Sequence, residues 1–293
     1  ATAKAAILAG LSETDATAET RGTLPLSLKM VRTTTAPSSD LLLDTYPGAA
    51  AAYSVRKLDK DYTGSCMRIR EDSGDTETDI GFDGSGGVDQ SAIATHCGSA
   101  NGYVVTWYDQ SGNGIDQEQN TDVNQPKIYD GTAVITENGK PLIQSASGAY
   151  LESSYDGNVV IFSVSQAVNM SILGHYRNNA SGNGHNTGFF FVAQDNSNSS
   201  AAAGVTLNSA RKNGTVYTLI GATRNNIYDD FNNQHLLYLS LDTTATDLNL
   251  GYRVDPSTFP MWNMQELILY PDTTTHTPSD IETDINDYFD IYT

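Results

Sequence analysis

The feature that most constrains the fold is the recurrence of short apolar segments separated by glycine, asparagine, aspartate and serine. Short apolar or alternating segments bounded by turn residues are typical of strands in a β-sandwich or barrel. No repeat of about 20–50 residues is present, which disfavours a propeller or solenoid. The predicted strands are CMRIRE (66–71), YVVTWYD (103–109), NVVIFSVSQAV (158–168), FFFVAQ (189–194), VYTLIGAT (216–223), HLLYLSLD (235–242), LNLGYRV (248–254) and MQELILYP (264–271).

Helices are predicted at few places. One begins after an N-cap at Thr277, where a proline and acidic residues follow in the first turn. Two short helices are predicted within residues 44–58 and 88–98, the second capped by Asp89 or Ser91. Apolar residues recur at helical spacing in the C-terminal segment: Ile281, Ile285, Tyr288 and Phe289.

Residues 1–40 differ in composition from the rest of the chain. They are rich in alanine and threonine, and only residues 24–30 show the alternation of a half-buried strand. We therefore predict an N-terminal arm and linker over residues 1–40, which either adds an edge strand or docks on a partner, and one β-sandwich over residues 41–293.

The charge balance limits the partners. The formal net charge of −19 repels phosphate backbones and anionic membrane surfaces, so nucleic-acid binding is not expected. No apolar run approaches the ~20 residues of a membrane span. A polar but charge-poor surface indicates an extracellular or virion protein, present as a homo-oligomer or in many copies. Cys66 and Cys97 lack metal-type spacing, and whether they pair or remain free thiols is left open.

The most distinctive stretch is WYDQSGNG, residues 107–114. Aspartate accepts backbone hydrogen bonds in Asx-turns, and glycine and asparagine tolerate positive φ. Because alternate strand residues face opposite ways, one of Trp107 and Tyr108 enters the core and the other can be exposed. A rigid turn is favoured over a sugar-stacking site. The predicted turn residues are Asp109, Ser111, Gly112, Asn113 and Gly114.

A candidate glycan site is predicted nearer the C-terminus. Tyr252, Arg253 and Asp255 precede Trp262, whose flat ring suits packing against a sugar. His185 lies in a Gly/Asn-rich loop and is the other candidate. Two alternatives remain open: the residues near Trp262 are ordinary surface residues, and His185 is part of an ordinary turn.

No motif predicts a catalytic or metal site. The acidic loop 71–89 invites a calcium interpretation, but the EF-hand spacing is absent, so a solvated hairpin is favoured and no cofactor is expected. With 35 acidic residues, some carboxylate pair is always available, so acid content alone does not predict a glycosidase.

Several of these segments occur in an order that resembles a known family. In order along the chain they are AAYSVRKL (51–58), YTGSCMRIRE (62–71), DIGF (79–82), TWYDQSGNG (106–114), QPKI (125–128), ENGKPLI (137–143) and QELILYPDTTTHTPSDIETDINDYF (265–289). The order resembles the LamG-like, concanavalin A-like sandwich domain of phage virion proteins. It is more distantly similar to the catalytic domain of α-L-arabinofuranosidase B.

The resemblance implies a concanavalin-like jelly-roll sandwich with a short C-terminal helix. In the arabinofuranosidases it also implies a glutamate nucleophile, expected here within residues 189–206, and an aspartate acid/base. That segment contains Asp195 but no glutamate, and Asp255 lacks the expected glycine context. We therefore predict a non-enzymatic structural protein of a tailed phage, a capsid decoration, fibre or tail component, held to other virion proteins by residues 1–40. The alternatives are a host-adhesion carbohydrate-binding module and an arabinofuranosidase-like glycoside hydrolase.

Overall fold

A computed structural model describes most of the second of two compact units, Ser39–Thr293. The described residues are 40–146, 148–155, 159–167, 175–177, 205–217, 233–243, 247–250 and 261–293. The predicted arm, residues 1–40, lies outside them except for Asp40. No helix in the described part is long and apolar enough to cross a membrane.

Three α-helices occur among the described residues: α1 (Leu42–Thr45), α2 (Gln90–Cys97) and α3 (Pro278–Phe289). Helix α2 begins at its N-cap Asp89, whose side chain accepts a hydrogen bond from the Ala92 amide. Helix α3 follows Thr277 and has a proline in its first turn, as predicted. Its apolar residues Ile281, Ile285 and Phe289 are buried.

The rest of the described structure is mainly β-strand. The strands before residue 120 are β1 (Ala51–Ser54), β2 (Met67–Glu71), β3 (Glu77–Ile80), β4 (Asn101–Trp107) and β5 (Gln117–Glu118). Those between residues 120 and 180 are β6 (Lys127–Asp130), β7 (Thr136–Glu137), β8 (Lys140–Pro141), β9 (Ile143–Gln144), β10 (Leu151–Ser154), β11 (Val159–Ala167) and β12 (His175–Arg177). The last are β13 (Val205–Lys212), β14 (Thr215–Tyr217), β15 (His235–Thr243), β16 (Asp247–Leu250) and β17 (Trp262–Pro271).

All of these strands pair in antiparallel fashion. The described path runs β12-β16-β10-β5-β4-β6-β9-β17-β11-β15-β13-β14, and β7 and β8 form a separate hairpin. Strand β1 also pairs with β17, and β2 lies between β3 and β4. We call β3-β2-β4-β5-β10-β16-β12 the front sheet and β1/β9-β17-β11-β15-β13-β14 the back sheet; β6 pairs with both β4 and β9 and joins the two into one continuous hydrogen-bonded path.

The two sheets pack face to face around one apolar core. Tyr53 of the back sheet meets Trp107 of the front sheet with ring centroids 5.7 Å apart, and both side chains are fully buried. The Trp107 indole N–H donates to the Ser54 carbonyl. This arrangement confirms the predicted all-β sandwich with a short C-terminal helix.

The outer face of the back sheet is covered by α3. Arg56, which follows β1, donates to both carboxylate oxygens of Glu266 on β17 at 2.8 and 3.1 Å, and to Asp284 on α3 at 3.0 Å. Arg211 on β13 makes a second ion pair with Glu282 of the same helix. Residues 262–270 of β17 are therefore buried on both sides.

Two details correct or complete the sequence analysis. The helix predicted within residues 44–58 is confined to α1, because Pro47 and Gly48 (φ +89°) interrupt it and β1 pairs with β17 instead. Cys66 and Cys97 are both buried free thiols. Burial raises the pKa of both thiols, that of Cys97 to about 11.

Candidate active site on the front sheet

A row of polar residues crosses the front sheet at right angles to its strands. Arg68 on β2 is directly opposite Asp79 on β3 and Thr106 on β4. Thr106 is opposite Glu118 on β5, and Glu118 is opposite Glu152 on β10. Directly paired positions project their side chains to the same side of a sheet, so these five residues form one row, which we call the polar row. In the backbone register, Asn249 of β16 is opposite Glu152 and His175 of β12 is opposite Asn249.

The two glutamates of the polar row, Glu118 and Glu152, are both exposed. Directly opposite Cβ atoms in an antiparallel sheet lie about 4.5–5.5 Å apart, and like charges in such positions destabilise the sheet. Within the described part of the chain, neither carboxylate forms an ion pair with a lysine or arginine. The repulsion between the two glutamates therefore destabilises the sheet, and no described ion pair compensates for it.

The other end of the polar row is a closed hydrogen-bonded group. Arg68 donates from Nε and Nη2 to the two carboxylate oxygens of Asp79 at 2.8 and 3.0 Å. Tyr108, one residue after the buried Trp107, points to the front face and donates its hydroxyl to Asp79 Oδ1 at 2.7 Å. The guanidinium and the phenol hold the pKa of Asp79 below its usual range, so this carboxylate stays ionised.

Asp116 adds a third carboxylate beside the glutamates. It precedes the fully buried Gln117, so it lies on the same side of β5 as Glu118. Its Oδ1 atom accepts a hydrogen bond from the Asp109 amide at 2.8 Å. Burial raises the pKa of Asp116, and the negative charges of Asp109 and Glu118 act in the same direction.

Asp109 organises the turn that follows β4. The residue is 4% exposed, and its carboxylate accepts from the amides of Ala52, Ser111 and Ile115 at 2.8, 2.9 and 3.1 Å. The Ser111 hydroxyl donates to the same carboxylate at 2.7 Å. The turn thus joins the end of β4 to β1 of the back sheet and sets the start of β5, which carries Glu118.

The remaining residues of this turn have separate tasks. Asn113 donates from its side-chain amide to the carbonyls of Ala49 and Ala50, both at 3.0 Å. Gly112 and Gly114 adopt φ values of +85° and +71°, which L-residues with a side chain rarely take. The described contacts of residues 109–114 are therefore those of a scaffold for the front sheet.

The glycan site predicted near the C-terminus is corrected at Trp262. This residue is fully buried in β17, opposite Ala167 of β11, so its ring is not available to a surface sugar. The prediction rested on its flat ring and on the polar residues that precede it, whereas its own strand is central in the back sheet. The other predicted glycan-binding residues lie outside the described residues: Tyr252, Arg253, Asp255 and His185.

The carboxylates of the acidic loop have different protein partners. Asp75 pairs with Arg70, Asp79 pairs with Arg68, and Asp83 accepts from Ser85 and Gly87. The described acids that could share a metal ion are instead Asp44, Asp59 and Asp61. There the Lys60 ammonium lies 2.9 Å from Asp44 Oδ1 and 3.4 Å from Asp61 Oδ2, and so already supplies a positive charge.

Glu118 and Glu152 were not singled out from the sequence. Each is an exposed glutamate next to buried neighbours, as in the pattern buried-exposed-buried at residues 117–119. That alternation indicates which residues face solvent, but the pairing of β5 with β10 depends on a sheet register that no local signal specifies.

Comparison with known proteins bears on the same part of the chain. A family model described as alpha-L-arabinofuranosidase B, catalytic, matches residues 42–150, which include β1 to β9. The fold is an arabinofuranosidase B catalytic-domain-like β-sandwich. No curated protein matches the chain.

Three solved structures share this fold. A GH54 α-L-arabinofuranosidase with a cyclic sulfate inhibitor is 19% identical, with a TM-score of 0.52. A glutamine-for-glutamate mutant of a GH54 α-L-arabinofuranosidase, soaked with 4-nitrophenyl α-L-arabinofuranoside, is 16% identical with a TM-score of 0.51. Each match covers 81% of this chain and 62% of that one.

The third is an arabinofuranosidase complexed with arabinofuranosyl-α-1,2-xylobiose, 18% identical with a TM-score of 0.53. It covers 83% of this chain and 64% of that one, so the chain spans about three fifths of the length of the structures it matches.

The prediction of a non-enzymatic virion protein is wrong. The matching family model is that of a catalytic domain, the matching structures are described as arabinofuranosidases, and none of these four descriptions names a phage protein. The prediction gave too much weight to the missing glutamate within residues 189–206, while composition and net charge describe a surface and not an activity. Docking through residues 1–40 and an extracellular location stay predictions.

Proposed function

We propose that this protein is an arabinofuranosidase-like glycoside hydrolase, which releases α-L-arabinofuranosyl residues from a larger glycan. The observation that carries the proposal is the match of the catalytic-domain family model to residues 42–150. A shared fold does not establish an activity, because catalysis depends on groups placed at a site. The front sheet supplies such groups within the described residues.

Glu118 and Glu152 have the placement of a catalytic carboxylate pair. Retaining glycosidases hold their two carboxyl groups about 5–5.5 Å apart, and inverting ones about 6.5–9.5 Å apart. Opposite positions on paired strands favour the shorter separation, since the Cβ atoms themselves lie about 4.5–5.5 Å apart. The geometry therefore supports a retaining mechanism.

In that mechanism one carboxylate attacks the anomeric carbon and forms a glycosyl ester as the bond to the leaving oxygen breaks. The other carboxyl group protonates that oxygen, and then removes a proton from the water that hydrolyses the ester. Both groups return to their starting protonation states, and no cofactor is consumed.

The family resemblance implies a glutamate nucleophile within residues 189–206 and an aspartate acid/base; the acids at those places are Asp195 and Asp255, both outside the described residues. The two assignments make separate predictions, because each pair can be neutralised without touching the other. Four variants distinguish them: Glu118→Gln, Glu152→Gln, Asp195→Asn and Asp255→Asn.

The test is the release of arabinose from arabinan by the full chain. We expect the unmodified protein to release it and Glu118→Gln and Glu152→Gln to lose about 10²–10⁴-fold of the rate. Glu77→Gln is the matched control, since Glu77 is an exposed acid on β3 of the same sheet. If arabinose release falls only in Asp195→Asn and Asp255→Asn, the catalytic residues are those two aspartates and not the glutamates. Absence of release by the unmodified chain would overturn the proposed function.

A further inference from the structure

The Tyr108 ring is the described aromatic surface beside the polar row. Its hydroxyl is held by Asp79, which Arg68 fixes with two hydrogen bonds, so the ring has a set position on the front face. The side chain is half-buried. A ring held at one end, with its body partly in solvent, can pack against the apolar face of a sugar.

Tyr103, on the front face of β4, the strand that ends just before Tyr108, provides a contrast. The Arg70 guanidinium lies 5.3 Å from the centre of the Tyr103 ring, and the Lys127 ammonium lies 5.4 Å from it. Among the described residues, no aromatic ring or cation packs on Tyr108. The Tyr103 ring is therefore already occupied by protein cations, whereas the Tyr108 ring is open to a ligand.

The length of the polar row exceeds what one arabinofuranosyl group requires. From β3 to β10 it crosses four strand-to-strand steps, about 19 Å at the usual spacing. The side chains of Arg68 and Asp79 are 41% and 42% exposed, so hydrogen-bonding edges remain accessible at the end far from Glu152. This length suits several linked sugar residues lying across the strands.

The charge of the front face limits which glycan fits there. Glu118, Glu152 and Asp116 have no ion pair with a described cation. The positive charge of Arg68 is already neutralised by its ion pair with Asp79. The whole chain carries a net charge of −19. A glycan rich in uronic acids would be repelled by this surface, while a neutral glycan would not.

We propose that the front face between β3 and β10 binds the main chain of a neutral polysaccharide, with Tyr108 as its stacking ring and the Arg68–Asp79 pair as its hydrogen-bonding partner. This inference rests on the proposed function and adds to it a binding surface for the main chain, formed by Tyr108, Arg68 and Asp79. The main chain crosses the strands and presents an arabinofuranosyl group at Glu118 and Glu152.

Binding is measured without catalysis by retardation of the full chain in native gels containing arabinan, arabinoxylan or polygalacturonate. We expect retardation by at least one of the two neutral polymers and none by polygalacturonate. Tyr108→Ala should weaken the apparent affinity about tenfold, a typical loss for a buried aromatic contact. Tyr108→Phe keeps the ring and should lose less.

Tyr103→Ala is the matched control, with thermal unfolding recorded for every variant to confirm folding. For hydrolysis, Tyr108→Ala should reduce kcat/KM for the polymer more than kcat/KM for 4-nitrophenyl α-L-arabinofuranoside, mainly through KM. Tyr103→Ala should leave the ratio of kcat/KM for the polymer to kcat/KM for the small arabinoside unchanged.

Each outcome decides one of the two claims. If the small arabinoside is hydrolysed but Tyr108→Ala binds and cleaves the polymer like the unmodified chain, the inference fails and the function stands. If polygalacturonate retards the chain as strongly as the neutral polymers, the restriction to neutral glycans is wrong. If nothing is hydrolysed, the function fails, and gel retardation still shows whether Tyr108 binds a polysaccharide.

Discussion

Asp109 illustrates how one buried carboxylate can fix the geometry of a site that it does not touch. It accepts three backbone amides and one hydroxyl, and these contacts join the turn after β4 to β1 and to the start of β5. Glu118 lies on β5, so its position depends on this turn.

Replacing Asp109 with alanine should destabilise the fold markedly. Each buried donor left without an acceptor costs about 1–3 kcal/mol, so the free energy of unfolding should fall by at least about 3 kcal/mol. Asp130→Ala is the control, because the exposed Asp130 also accepts two turn amides but water can replace it. Urea denaturation measures both. Equal losses in the two variants would contradict the special role of Asp109.

Glu71 links stability to pH. The hydroxyl and amide of Ser73, together with the amides of Thr76 and Gly74, lower the pKa of Glu71 to about 2. A carboxyl group with a lower pKa in the folded state contributes stability above its unfolded pKa, near 4.5, and loses it as the pH falls towards 2.

Glu71→Gln should therefore be less stable than the unmodified chain at pH 7, and the difference should shrink as the pH falls from about 4.5 to 2. Thermal unfolding across this range measures it, with Glu77→Gln as the exposed control. A difference that stays constant with pH would show that the Glu71 charge does not matter.

At the scale of single residues, the sequence predicts what local chemistry decides. The turn chemistry at residues 109–114 could be derived from aspartate, asparagine and glycine alone. The partners of Asp109 beyond the turn could not, because the Ala52 amide is 57 residues away along the chain. Glu118 and Glu152 were missed for the same reason.

At the scale of elements, the ion pairs under α3 hold the C-terminal helix to the back sheet. Glu266 is fully buried and is satisfied by Arg56 and by the Ser54 hydroxyl, which donates to it at 2.6 Å. Removing one partner of such a pair leaves an uncompensated buried charge.

Arg56→Met should lower the free energy of unfolding by about 3–5 kcal/mol. The double variant Arg56→Met/Glu266→Met should recover part of that loss, since neither charge then remains buried alone. A double-mutant cycle in urea measures the coupling. Additive losses from the two single variants would contradict a coupled pair.

Two helices could be predicted from the sequence, whereas the extent of a third could not. Helices α2 and α3 could be predicted because their signals are local: the Asp89 cap in α2, and the first-turn proline and apolar spacing in α3, where the Thr277 side chain makes no cap hydrogen bond. The helix expected within residues 44–58 was overestimated, because the alanines of β1 find partners on β17 more than 200 residues later. Pairing over such distances overrides local helix propensity.

At the scale of the whole molecule, the two sheets of the sandwich have different surroundings. The back sheet is closed by α3 and its ion pairs, while the front sheet exposes the polar row. The sandwich class followed from the strand pattern. The function did not, because it depends on which carboxylates the sheet register brings together.

The central claim is that this sandwich hydrolyses arabinofuranosides through Glu118 and Glu152. Proton NMR of 4-nitrophenyl α-L-arabinofuranoside, followed from the first minutes of reaction with the full chain, reads both product and stereochemistry. The account predicts arabinose formed first as the α anomer, at a rate reduced about 10²–10⁴-fold in Glu118→Gln and Glu152→Gln and unchanged in Glu77→Gln. No arabinose, a β anomer as first product, or full activity in both glutamine variants of the pair would contradict it.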